Sequence, residues 1–85
     1  MKVTVLYFAR LREALGRDRE TVELPADVAT VGALRAWMLT RGPPWADAFT
    51  EIKRIRAAVA QEMANDDAPL AEGAEIAFFP PVTGG

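Results

Sequence analysis

Glu75-Ile76-Ala77-Phe78-Phe79-Pro80-Pro81-Val82-Thr83-Gly84-Gly85 closes the chain, a strand-like run that two prolines stop before two bare glycines. Alternation over Glu75 to Phe79 puts Ile76 and Phe78 on one face of a strand and Ala77 and Phe79 on the other. Pro80 and Pro81 fix φ and offer no backbone donor, so they end the strand and hold the last four residues extended, pointing away from the body. Glycine lacks a Cβ, so Gly84 and Gly85 form the slimmest and least hindered peptide end available. Val82 to Gly85 reach about 13 Å at ~3.3 Å per residue, enough to enter another protein's active site. The stretch therefore predicts that the Gly85 carboxylate is the working group and that Gly84 keeps the tail slim. A frayed terminus or a cloning scar is the plain alternative.

Working back from this end, Lys2 to Phe8 alternates and carries Val3, Val5, Tyr7 and Phe8, a first strand expected to be buried on both faces and central in the sheet. Leu11 and Leu15 at i, i+4, closed by Gly16, predict a two-turn helix. Arg19 to Leu24 is a second strand that Pro25 stops. Thr30 reads as an N-cap, and Val31, Leu34, Trp37 and Met38 mark the main helix up to Gly42-Pro43-Pro44. At that spacing Trp37 and Met38 read as core packing. Trp45 to Glu51 forms a short second helix. Ile55 to Met63 is expected to be a third strand, and Asn65 to Pro69 a turn by its Asx and proline content, with Leu70 plugging the core beneath it. The order describes an α+β roll whose first and last strands lie side by side. Residues 1–81 form the domain and 82–85 a flexible tail.

Composition narrows the chemistry. The 85 residues, 51% hydrophobic and 26% charged, suit one small soluble domain with a compact core. No apolar run approaches the ~20 residues that cross a bilayer, and nothing resembles a signal peptide, so the expected location is the cytoplasm and no membrane partner is implied. The chain has no cysteine, no histidine and no serine. That removes Cys and Ser nucleophiles, an imidazole base, thiolate or imidazole zinc ligands and disulfides. Lys2 and Lys53 are the only lysines, and the acids are scattered singly or in loops, so catalysis by this chain alone is not expected, nor is a bound cofactor or metal. Net charge −2 argues against nucleic acid, which draws a clustered basic face. One basic cluster exists, Lys53-Arg54 with Arg56, and it reads as a solvated edge that discourages strand addition.

The opening Val5, Leu6, Tyr7, Phe8, Ala9, Arg12 and Glu13, then Ala57-Ala58-Val59, Pro69-Leu70 with Gly73, and the run Ala77 to Gly85 resemble one family over essentially the whole chain. It is the ubiquitin-like β-grasp family ending in Gly-Gly, and within it the small, sulfur-carrying subunits of molybdopterin synthase. Ala60 departs from the pattern, which often has Asn after this valine. The resemblance implies that an E1-like enzyme uses ATP to adenylate Gly85 and that sulfur then replaces AMP to give a thiocarboxylate. It also implies that the loaded tail enters the large synthase subunit, two copies of each subunit making a heterotetramer, and donates sulfur to cyclic pyranopterin monophosphate to form the molybdopterin dithiolene. A sulfur donor protein completes the set of partners.

A carrier that docks on two enzymes needs a surface besides its tail. The sheet face carrying Phe8, Met63 and Phe79 is the expected partner-binding patch, continuing through Pro80, Pro81, Val82 and Thr83. Rival readings are a carrier for thiamine or tRNA thiolation, a ubiquitin-like modifier joined to target lysines, and a structural domain with an incidental Gly-Gly.

Overall fold

The computed structural model describes residues 1–81, so the predicted tail, Val82 to Gly85, lies outside the described residues. In chain order the elements are β1 (Lys2–Tyr7), α1 (Ala9–Leu15), β2 (Arg19–Glu23), α2 (Val31–Met38), α3 (Pro43–Glu51), β3 (Arg56–Val59), β4 (Glu62–Ala64) and β5 (Glu75–Phe79). The strands form one mixed sheet in the order β2-β1-β5-β3-β4. β1 and β5 run parallel, with Val5 opposite Ile76 and Tyr7 opposite Phe78, and the other pairs are antiparallel. This is the ubiquitin-like β-grasp, with the first and last strands side by side as predicted.

Alternation decides which side chains meet the helices. Val3, Val5, Tyr7, Ile76, Phe78 and Ala57 point to the inner face and are buried together with Leu11, Leu34 and Met38. The expectation that β1 is buried on both faces is not met: Thr4 and Leu6 are half-exposed and Phe8 is 44% exposed. The helices cover one face of the sheet only, so the alternate residues of β1 lie on its open side. Phe8 falls just past the strand, at the N-cap position of α1. β1 is interior to the sheet as expected, between β2 and β5, and β5 is the middle strand.

Local chemistry accounts for the helix ends. Gly16 adopts φ 70° and donates its N–H to Arg12 O at 2.9 Å, a left-handed cap that glycine adopts without strain. Thr30 Oγ1 accepts the Ala33 N–H at 3.1 Å, the predicted N-cap of α2. α3 begins at Pro43, two residues earlier than the spacing predicts, because a proline at the first helical position is preorganised for a helix. Met38 is fully buried, while Trp37 packs against the core from its margin.

The single strand expected over Ile55 to Met63 is a hairpin. β3 and β4 pair through Ala57 with Ala64, Ala58 with Met63 and Val59 with Glu62. Ala60 and Gln61 turn the chain at φ 51° and 69°. Both central residues of such a two-residue loop need φ above zero, which normally calls for Asn-Gly or Asp-Gly. Ala-Gln carries no such signal, so alternation runs unbroken through the turn. The Asn65 to Pro69 turn is present, with Asn65 Oδ1 accepting the Asp67 N–H at 3.0 Å, and Leu70 is buried beneath it.

A polar cluster closes the other side of the helical layer. Glu20 on β2 accepts hydrogen bonds from Tyr7 Oη at 2.5 Å, from Arg41 at 2.6 and 3.0 Å, and from Trp45 Nε1 at 3.2 Å. The Arg41 guanidinium in turn lies 4.1 Å from the Trp45 ring centre and 5.0 Å from that of Trp37. Glu20 thereby ties β1, β2 and the α2–α3 link together with paired, hydrogen-bonded charges.

Candidate functional site

The end of β5 is paired on both sides, with β1 and with β3. Phe78 is fully buried. It sits between Tyr7 on β1 and Ala57 on β3, with the Phe49 ring edge-on at 5.2 Å and 89° and Arg35 over its face at 5.6 Å. Such aromatic geometry adds to plain burial. Phe79, Pro80 and Pro81 therefore leave from a fixed point, and the site predicted at Gly84 and Gly85, outside the described residues, hangs on that root.

On the open face of the sheet the register sets one apolar row. Met63 lies opposite Ala58, Ala58 opposite Ala77, and Ala77 opposite Leu6. Phe79, next along β5, lies opposite Arg56, and Phe8 follows Tyr7 at the same end of the neighbouring strand, donating its N–H to Phe78 O at 3.2 Å. The structure thus brings Phe8 and Phe79 together at the tail root, with Pro80 and Pro81 beyond them. Met63 stands apart on the edge strand, joined to them through Ala58, Ala77 and Leu6. Among the described residues, Phe8 and Met63, at 44% and 61% exposure, are two of the three exposed large apolar side chains, while Phe79 is half-buried. Sequence reasoning does not single out Leu6, Ala58 and Ala77, because alternation does not say which face stays bare.

The basic cluster is placed differently from its sequence reading. Lys53 and Arg54 occupy the turn after α3, and Arg56 begins β3, which is interior to the sheet. They guard no edge. Instead, Pro81 lies between two clefts, one formed with Arg54, Arg56 and Met63 and the other with Arg10, Lys53 and Arg54.

Among the described residues no group of three acidic, histidine or cysteine side chains is placed to hold a metal ion. No helix of the described residues is long and apolar enough to cross a membrane. The described residues offer a well-paired root at β5, an apolar face and a cationic margin beside Pro81.

The ThiS family model matches residues 5–85. The chain belongs to the ThiS family. It is 47% identical over 83 residues to the molybdopterin synthase sulfur carrier subunit of Escherichia coli, covering 98% of this chain and 99% of that protein. It is 40% identical over the same length to the protein of that name from Haemophilus influenzae, again with 98% and 99% covered. Among solved structures, SAMP1 from Haloferax volcanii, a small archaeal modifier protein, superposes with TM-score 0.79 at 27% identity over the whole of both chains.

Proposed function

We propose that this member of the ThiS family is a sulfur carrier of molybdenum cofactor biosynthesis. The observation that carries the reading is its 47% identity, over nearly the full length of both chains, to a molybdopterin synthase sulfur carrier subunit. A chain without cysteine, histidine or serine fits that role, since sulfur would ride on the terminus and no side-chain nucleophile is needed.

The carboxylate of Gly85 is a poor electrophile. An E1-like enzyme activates it by letting its oxygen attack the α-phosphate of ATP, with pyrophosphate leaving and an acyl adenylate forming. Sulfide-level sulfur supplied by a donor protein then attacks the acyl carbon, a C–S bond forming as the C–O bond to AMP breaks, so that AMP leaves and the thiocarboxylate remains. In the large subunit of molybdopterin synthase the sulfur passes to cyclic pyranopterin monophosphate, each carrier delivering one atom, and water restores the carboxylate. The carrier holds no cofactor of its own, and ATP is consumed by its activating partner. Gly84 lets the tail pass, while Phe8, Phe79 and Met63 dock the domain, with Pro80, Pro81, Val82 and Thr83 leading the tail into the channel.

Intact-mass measurement after incubation with the adenylating enzyme, ATP and a sulfur source should show one oxygen exchanged for one sulfur. Absence of exchange, where a known carrier is loaded, rejects the reading. The likeness to SAMP1 supports a second reading, a protein modifier. A modifier leaves its glycine carbonyl on a target lysine as an amide, whereas a sulfur donor returns with its carboxylate free. Thiocarboxylated protein mixed with the large subunit and pyranopterin precursor should regain its original mass and yield molybdopterin. Stable conjugates without pterin product favour the modifier.

A further inference from the structure

The two clefts beside Pro81 are lined by five of the chain's ten cations, Arg10, Arg35, Lys53, Arg54 and Arg56, and by one acid, Glu51. Among the described residues Arg35 is paired with Asp66 at 2.8 Å, whereas no ion pair engages Arg10, Lys53, Arg54 or Arg56. A chain of net charge −2 thus gathers unpaired positive charge around the root of its tail. Two backbone positions there are strained as well: Ala9 at φ 53° and Arg54 at φ 57° both line the cleft with Pro80 and Pro81. Non-glycine residues are held in the left-handed region only where surrounding structure imposes it, and such positions gather at functional sites.

Resting on the carrier reading, we propose that this basic collar docks against a carboxylate-lined channel mouth on the adenylating enzyme. When the terminus lies in a partner's active site, the inserted part is the tail, so the residues around Pro81 meet the rim of the channel rather than the reacting atoms. A rim of like sign would be repelled, and a complementary one must be acidic. The adenylating enzyme is the partner that gains most. It must load and release one carrier per turnover, and rim charges act chiefly on the rate of encounter. The open sheet face, apolar and continuous with Phe79, supplies the second kind of contact, suited to a longer-lived complex with the large subunit.

The test compares wild type with Arg10→Gln/Lys53→Gln/Arg56→Gln and with a control, Lys2→Gln/Arg19→Gln, whose cations lie on β1 and β2. Association with the purified adenylating enzyme is followed by stopped flow over a range of salt, with pyrophosphate release measured at saturating carrier. The collar variant should associate about tenfold more slowly at low salt, with a flatter salt dependence and an unchanged saturated rate. The control should follow wild type, and wild type in high salt should approach the collar variant, a check independent of any folding defect. Equal association by wild type and collar variant overturns the collar and leaves the carrier reading intact. So does a defect confined to the large subunit. Failure of wild type itself to be adenylated overturns the carrier reading and the collar with it.

Discussion

Glu20 accepts hydrogen bonds from both terminal guanidinium nitrogens of Arg41, at 2.6 and 3.0 Å, from 21 residues away in the chain. The pair joins the outer strand β2 to the α2–α3 link. With 11% of its side chain exposed, the carboxylate depends on its partners for its charge. Burial works against the ionised form, but the hydrogen bonds from Arg41 and Tyr7, the Arg41 charge and the Trp45 N–H outweigh it and hold Glu20 down to about 2 from 4.5. Burial and the adjacent Glu20 carboxylate also push the Tyr7 phenol well above its ordinary value, so it stays the donor.

Glu20→Gln should cost about 1.5 to 3 kcal/mol of folding stability near neutral pH, the range for losing hydrogen bonds to a charged group. Because the folded pKa is lowered, the contribution is full above about 4.5 and is lost as pH falls toward about 2. Denaturant titrations across that window should show wild type losing stability more steeply than the variant. Parallel curves would mean that the pair contributes nothing through ionisation.

The Ala60-Gln61 turn should be improvable. Gln61→Gly, or Ala60→Asn, places a residue tolerant of positive φ where the backbone stands at 69° or 51°. Each should gain about 0.5 to 1 kcal/mol. A fall in melting temperature for both would contradict the left-handed hairpin.

Phe79→Ala should weaken binding to the large subunit by about 1 to 3 kcal/mol, the range for a central aromatic anchor, and cost the isolated domain much less. Phe79 lies on the open face opposite Arg56 and is half-buried there, outside the buried core to which Phe78 belongs, so the free protein loses less packing than at a core position. A folding loss of about 3 to 5 kcal/mol, read by calorimetry, would assign it to the interior.

Deleting Gly85, or capping it as an amide, should abolish sulfur transfer with the melting temperature unchanged. Gly84→Val should impair adenylation or delivery in the same way, because a branched side chain would have to pass the channel. Normal pterin dithiolene formation by Gly84→Val would refute the narrow-channel argument.

Much of this architecture is legible in the residues because its causes are local. Gly16 needs only its own φ, Thr30 only the Ala33 N–H three residues on, and β5 only its alternation and the prolines after it. The terminal Gly-Gly likewise carries its chemistry in covalent form. The features that the tertiary structure alone decided depend on distant chain segments. Which face of β1 stays bare is set by helices packing from elsewhere, and that makes Leu6 and Phe8 part of an open surface. The turn at Ala60-Gln61 is imposed by strand pairing against the preference of both residues. Arg10 and the Lys53-Arg54-Arg56 cluster are more than 40 residues apart in sequence, yet they meet around Pro81. Glu20 and Arg41 are joined in the same way, because a charge pair across two elements is a property of the fold and leaves no periodic trace in the chain.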